Sequence, residues 1–105
     1  MKNFVLNFFS KDKSKFYTDG EVLNLILTAL AFEQNVTLII NNEKEISKKE
    51  SLKFLSAIWE ISEEFRVVFN QEKLKGKADI NKKVELVTNN EIKELINKAD
   101  YFVNC

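Results

Sequence analysis

The most informative stretch of this sequence is VTLII at residues 36–40, where aliphatic and β-branched residues follow one another without polar alternation. Such a run is typical of a strand buried on both faces, as the strands of parallel sheets are. Four other short runs, at residues 3–9, 65–69, 84–88 and 101–103, are rich in β-branched, aliphatic or aromatic residues. These four runs are predicted to form strands as well. The sequence therefore predicts five strands.

Helical patterns separate these strands. Thr18 supplies an N-cap for a helix that extends to Phe32 and is apolar nearly all round, which predicts that it packs on more than one side. Ser47 can cap a second helix that ends near residue 61. A short helix is predicted at residues 70–77. Residues 89–91 are predicted to cap a last helix, whose apolar residues continue to residue 99.

Strands and helical patterns thus alternate along the chain. Parallel neighbours need crossover connections, and right-handed crossovers place helices on the faces of the sheet. We therefore expect an α/β fold with three layers, α/β/α, and a five-stranded parallel sheet that is flavodoxin-like in outline. At 105 residues, 45% of them hydrophobic, the chain is predicted to form a single domain over residues 1–105.

The charge balance argues against partners that are recognised by bulk charge. Sixteen Lys and Arg residues offset sixteen Asp and Glu residues, so no overall field attracts nucleic acid or anionic lipid. The first residues are too short an apolar stretch for a signal peptide, and no run approaches the roughly 18 apolar residues of a membrane-spanning helix. We expect no membrane association, no direct nucleic-acid binding and a cytoplasmic location.

Several common chemistries lack their residues in this sequence. The chain has no His, which removes the usual general base and the commonest metal ligand. Its single cysteine, Cys105, excludes an intramolecular disulfide and a zinc-type cysteine cluster, so no metal is expected. Gly20 and Gly76 stand alone, without the glycine-rich motifs that hold dinucleotides or nucleoside triphosphates. No bound cofactor is predicted.

The loop after the first predicted strand contains two patterns of interest. Its hydroxyl side chains could line a phosphate loop of the kind that holds flavin, but a solvated connection is the favoured interpretation. Its basic residues lie near two aromatic ones, as in some RNA-contacting segments, but in a neutral chain a charged loop is favoured. The hydroxyl residues are Ser10, Ser14 and Thr18. The basic and aromatic residues are Lys11, Lys13, Lys15, Phe16 and Tyr17.

Cys105 is the one side chain with intrinsic nucleophilicity. If the fifth strand ends near residue 104, the thiol emerges at the carboxyl edge of the sheet, where the sites of α/β proteins collect. An incidental cysteine beside the chain's own carboxylate is the favoured interpretation.

Several stretches resemble the DsrE/DsrF-like family of sulfur-relay proteins, and more specifically its TusC/DsrF type of subunit. The likeness covers almost the whole chain. It is clearest at the end, where an apolar strand and a short helix are followed by Ala99-Asp100-Tyr101 and a last strand. The matching stretches are Asp19-Gly20-Glu21 leading into residues 22–32, residues 36–42, residues 84–96 and residues 99–103.

The resemblance implies a small DsrE-like α/β protein with a five-stranded parallel sheet. Members of that family assemble into dimers and hetero-hexamers that pass persulfide sulfur between cysteines, for example toward tRNA thiolation. In the catalytic subunits a cysteine in the loop after the third strand carries the sulfur, but the matching residues 67–76 contain none. The resemblance therefore implies an accessory subunit, not an enzyme on its own, that assembles with itself, with related subunits or with a cysteine-bearing sulfur carrier.

Two alternatives stay open from the sequence. In the first, the chain carries persulfide itself, with Cys105 as the sulfur acceptor. In the second, the β/α order belongs to a flavodoxin-like module that binds a small molecule.

Overall fold

A five-stranded sheet forms the centre of the protein. The computed structural model describes residues 2–8, 20–41, 49–73 and 83–104 of the chain, and within those ranges every neighbouring pair of strands is parallel. The strands are β1 (Asn3–Phe8), β2 (Asn35–Ile40), β3 (Phe65–Asn70), β4 (Val84–Val87) and β5 (Tyr101–Asn104). Their order across the sheet is β4-β3-β2-β1-β5. The predicted five-stranded parallel sheet is confirmed.

Helices lie on both sides of this sheet. They are α1 (Gly20–Ala31), α2 (Lys49–Ile61) and α3 (Asn89–Asn97). The helices α1 and α2 pack on one side, which we call the first face, and α3 packs on the other, the second face. The strand order explains this: β1 to β2 to β3 steps one way and β4 to β5 steps back, so right-handed crossovers must use opposite faces. The predicted three-layer α/β/α fold is confirmed.

The first face holds the larger part of the core. Alternate residues of the central strands point toward α1 and α2, and among them Leu6, Leu38 and Val67 are fully buried. Ile26 of α1 and Leu55 of α2 are equally buried in the same cluster. Because burying a Leu or Ile side chain contributes roughly 1.5–3 kcal/mol, this face supplies most of the apolar stabilisation.

The second face has a smaller apolar cluster. Four buried valine and isoleucine side chains of the sheet lie under half-buried apolar residues of α3, and no residue of α3 is itself buried. The sheet residues are Val5, Ile39, Val68 and Val87, and α3 contributes Ile92, Leu95 and Ile96.

None of the three described helices combines the length and hydropathy needed to cross a membrane.

The start of α3 corrects the sequence prediction. Thr88 was expected to end the fourth strand, with residues 89–91 as the cap, but β4 ends at Val87 and Thr88 is the N-cap. The Thr88 hydroxyl accepts the Glu91 N–H at 3.2 Å, and the Glu91 carboxylate accepts the Thr88 N–H at 3.2 Å. This is a capping box, and it satisfies two otherwise unpaired N–H groups. Asn89 is therefore the first residue of the helix.

Other element ends also differ from the predictions. The first helix ends at Ala31, and Phe32 lies in the turn beyond it with 74% of its surface exposed. The last helix ends at Asn97, although Ala99 still packs on the second-face cluster. The short helix expected at residues 70–77 is a 3-10 turn at Gln71–Lys73, and residues 74–77 lie outside the described ranges. The predicted caps at residues 18 and 47 also lie outside them.

Candidate functional site at the carboxyl edge of the sheet

The topology points to the carboxyl edge of the sheet near β3. The helix that follows β2 lies on the first face, whereas the helix that follows β4 lies on the second. The described crossovers before β3 and after β4 therefore use opposite faces, which places the change of face at the carboxyl ends of these two neighbouring strands. In open α/β sheets, ligands bind in the crevice at such a switch point.

A row of asparagine amides crosses this edge on the second face. Asn7 donates from Nδ2 to Oδ1 of Asn104 at 3.2 Å, and Asn41 donates from Nδ2 to Oδ1 of Asn7 at 2.7 Å. Lys73 donates from Nζ to Oδ1 of Asn41 at 3.0 Å. We call these four residues the amide row. They come from β5, β1, the residue after β2, and the 3-10 turn after β3.

The strand register brings the row together. Asn7 and Asn104 are direct partners in the parallel pairing of β1 with β5. Asn41 follows the last paired residue of β2, and its Nδ2 also donates to the main-chain oxygen of Phe8 at 2.9 Å. Every bond in the row points the same way, from the ammonium of Lys73 toward Asn104. Hydrogen bonds aligned in this way polarise one another.

Asn70 holds the switch point itself. This last residue of β3 is only 3% exposed. Its Oδ1 accepts the Glu72 N–H at 2.9 Å, and its Nδ2 donates to Oδ1 of Asn89 in the first turn of α3. Both ends of the amide are thus satisfied, as a buried polar group requires. Asn70 ties the end of β3 to the start of α3.

These side chains supply hydrogen bonds and one positive charge. An amide neither gains nor loses a proton near neutral pH, so the edge is suited to positioning and not to acid–base catalysis. Residues 70–73, between the end of β3 and the end of the 3-10 turn, contain no nucleophilic thiol or hydroxyl. Within the part of the chain that the structure describes, no three His, Cys, Asp or Glu side chains are grouped to hold a metal ion.

A concave region lies on the second face, toward the amino ends of the strands. It is a groove of about 500 Å³ between α3 and the sheet, with Glu63, Glu64, Arg66 and Lys98 among its lining residues. Arg66 donates from Nε and Nη2 to the two oxygens of Glu85, at 2.8 and 2.9 Å. These bonds lower the pKa of the Glu85 carboxyl and raise the pKa of Arg66. The groove mixes both charges and lies away from the switch point.

The candidates from the sequence fall outside the described residues. These are Cys105, the hydroxyl residues Ser10, Ser14 and Thr18, and the group Lys11, Lys13, Lys15, Phe16 and Tyr17. The amide row was not predicted. Its signal was partly present, because Asn41 and Asn104 directly follow two predicted strands, as Asn70 follows a third, whereas Asn7 lies inside the first predicted strand.

The fold is shared with a known bacterial protein. The crystal structure of the YchN protein from E. coli matches this chain with a TM-score of 0.69, covering 99% of this chain and 98% of that chain at 13% sequence identity. No protein-family model matches the sequence, and no curated protein matches it. This structural likeness supports the α/β fold with a five-stranded parallel sheet that the sequence predicted.

Proposed function

We propose that this chain is an accessory, non-catalytic subunit in intracellular sulfur transfer, within a persulfide relay of the kind that serves tRNA thiolation. The DsrE-like fold supports this proposal, because the likeness to YchN extends over 99% of the chain. The sequence resemblance to TusC/DsrF-type subunits points the same way. Fold alone does not define function, so the proposal depends on the residues at the switch point.

The end of β3 carries the proposal. Catalytic subunits of the resembled family place a cysteine in the loop after the third strand, but here that loop begins with Gln71–Lys73 and the stretch contains no Cys. Asn70 just before it is buried, and its amide is fully used in joining β3 to α3. We infer that the end of β3 has a structural role here, through Asn70, and does not carry sulfur. A subunit built in this way needs a partner that supplies the thiol.

Assembly with other subunits is the function left to such a chain. The outer surface of α1 supports it, since Leu27 is 40% exposed and residues 22–32 contain no charged side chain. Phe32, just after this helix, is exposed as well. Uncharged apolar surface of this kind marks interaction sites on proteins. We expect the partners to be related subunits, a second copy of this chain, or a cysteine-bearing sulfur carrier.

A second candidate is that Cys105 itself accepts sulfur. One observation favours it: β5 ends at Asn104 on the carboxyl edge, joined to the amide row, and Cys105 is the next residue in the chain.

The test is to look for sulfur on this chain directly. The purified protein and its Cys105→Ser variant are incubated with a cysteine desulfurase and cysteine, and persulfide is located by mass spectrometry without reductant. An accessory subunit acquires no stable persulfide and still forms a complex with a cysteine-bearing DsrE-type subunit in size-exclusion chromatography. Persulfide on Cys105 that passes to an acceptor would establish the second candidate. A chain that stays monomeric and binds no such subunit would refute the accessory role.

A further inference from the structure

The groove on the second face, toward the amino ends of the strands, carries its two signs of charge at separate ends. Glu63, Glu64, Arg66 and Lys98 all line it. Arg66 and Lys98 also line a smaller hollow of about 140 Å³ that continues along α3. Glu63 and Glu64 instead line a shallow surface region at the end of α2. The groove therefore has a cationic end near α3 and an acidic end near the close of α2.

The strand register builds the floor of the groove. Val5 pairs with Thr37, and Thr37 pairs with Arg66, so three neighbouring strands place these residues side by side. Because alternate residues of a strand share a face, Asn3 and Asn35 form the next level toward the amino edge, where they too are direct partners. All of these residues line the groove. Apart from Arg66 at the cationic end, the floor is uncharged.

Thr37, in the central strand of this floor, has a hydroxyl group that is left without a partner. The residue is only 7% exposed, yet its hydroxyl makes no hydrogen bond with any described residue. Within the described ranges, the one fully enclosed side-chain polar atom without a partner is Oε1 of Gln34. Oγ1 of Thr37 is therefore not enclosed and is reached from the groove that Thr37 lines. Buried polar groups are normally hydrogen-bonded, and a ligand in the groove would supply the missing partner.

The charged ends also keep groups that are free to bind. Among the described residues, the carboxylate of Glu64 and the ammonium group of Lys98 have no hydrogen-bond or ion-pair partner. Arg66 uses Nε and Nη2 for Glu85 and keeps Nη1. The main chain holds Glu64 in place, because its oxygen accepts the Val36 N–H at 3.1 Å. One end of the groove thus offers N–H donors, and the other offers a carboxylate.

We propose that this groove binds a free amino acid with an uncharged, aliphatic side chain. A zwitterion is the ligand class that pairs with both charged ends at once, through charge-assisted hydrogen bonds. The carboxylate of the ligand accepts bonds from Lys98 and from Nη1 of Arg66, and its ammonium group donates to Glu64. The groove volume of about 500 Å³ lies within the usual range for small-molecule sites, roughly 300–1,000 Å³.

The floor of the groove suits the rest of the ligand. The hydroxyl of Thr37 can donate to the carboxylate or accept from the ammonium group, because a hydroxyl does both. Val5 is buried, Leu95 is half-buried, and both line the groove, so an aliphatic side chain finds apolar contacts there. The inference is independent of the accessory role, because the groove lies toward the opposite edge of the sheet from the switch point.

Titration of the full chain with L-valine, followed by the amide chemical shifts in NMR spectra, tests the inference. We expect saturable shifts confined to residues around the groove, with a dissociation constant of about 1 mM for so small a ligand. N-acetyl-L-valine lacks the ammonium group and L-valinamide lacks the carboxylate, so each should bind at least about tenfold more weakly. The absence of saturable shifts, or equal binding of either analogue, would overturn the inference.

Two substitutions test the charged ends. Glu64→Gln should weaken the binding of L-valine about tenfold and should not weaken that of N-acetyl-L-valine, which has no ammonium group. Lys98→Gln should weaken the binding of L-valine and should not weaken that of L-valinamide, which has no carboxylate. Glu60→Gln and Lys93→Gln are the matched controls, because both residues are exposed and neither lines the groove. Controls that weaken binding as strongly would overturn the inference.

Substitution of Thr37 separates binding from stability. Thr37→Val replaces the hydroxyl by a methyl group, so L-valine should bind about fivefold more weakly. The urea midpoint of the ligand-free variant should not fall, because the hydroxyl has no described partner to lose. Thr37→Ser keeps the hydroxyl and should bind L-valine as the wild type does. Unchanged affinity in Thr37→Val would overturn the role of this hydroxyl in the site.

Discussion

The two faces of the sheet are held in different ways. On the first face, Ile26 of α1 and Leu55 of α2 are completely buried against the strands. On the second face, α3 covers the sheet with side chains of which none is buried. The amide row, the bonds of Asn70, and the Arg66–Glu85 pair all lie on this second face, on the alternate residues of their strands. The first face therefore maintains the fold, and the second holds the polar groups that a site needs.

The largest expected effect separates the apolar contributions of the two faces. Leu55→Ala should lower the free energy of unfolding by about 3–4 kcal/mol, because it leaves a cavity in a fully buried cluster. Leu95→Ala in α3 should cost only about 1–2 kcal/mol, since the side chain is half-buried and water can refill its place. Urea denaturation of both variants measures the difference. Equal costs would mean that the faces contribute equally.

The next effect concerns the buried amide of the second face. Asn70→Ala removes both hydrogen bonds of a nearly buried amide and leaves the Glu72 N–H without its partner. It should lower the free energy of unfolding by about 2 kcal/mol. Asn41→Ala is the control within the amide row. It should cost less than about 1 kcal/mol, because Asn41 is half-buried and water can bond its former partners. A reversed order in urea denaturation would show that Asn70 is not the link between β3 and α3.

A smaller effect is expected at the start of α3. Because this helix buries little apolar surface, it depends on its capping box, and Thr88→Ala should cost about 1 kcal/mol. Thr88→Ser keeps the hydroxyl and should be nearly neutral. Amide hydrogen exchange should speed up in α3 for the alanine variant and stay unchanged in α1. Uniform acceleration in both helices would contradict a local role for the cap.

The smallest effect belongs to the ion pair. Arg66 and Glu85 are each 46% exposed, so solvent screens the pair and it should contribute only about 0.5 kcal/mol. Arg66 lowers the pKa of Glu85 in the folded protein. The contribution is therefore complete well above the unfolded Glu pKa of about 4.3 and is lost as the pH falls through the lower folded value. A double-mutant cycle with Arg66→Gln and Glu85→Gln measures it at pH 7 and pH 3. A coupling energy that is larger at pH 3 than at pH 7 would contradict the expected loss of the contribution at low pH.

Most of the fold could be predicted because its signals are local. The unbroken apolar runs gave the strands, and their alternation with helical patterns gave the parallel order. Thr88 was misassigned because a β-branched residue after Val84–Val87 continues a strand pattern, while its capping role depends on Glu91 three residues later. A capping box is visible in sequence only once the helix start is known.

The candidate site was harder to predict because it depends on register. Asn7 and Asn104 are 97 residues apart, and only the pairing of β1 with β5 makes them neighbours. No spacing along the chain encodes that contact. The missing cysteine after β3, in contrast, could be read directly from residues 67–76. The sequence therefore indicated which chemistry the edge lacks, and the structure added the amides that occupy it.

A reconstituted relay offers the most direct test of the accessory role. A cysteine desulfurase, cysteine and a cysteine-bearing DsrE-type subunit are combined with or without this chain, and persulfide is quantified on each protein by mass spectrometry. We predict that persulfide forms faster on the cysteine-bearing DsrE-type subunit when this chain is present, and that it resides on that subunit and not on this chain. The Cys105→Ser variant should behave as the wild type does. Persulfide on Cys105, with transfer abolished by Cys105→Ser, would contradict an accessory role.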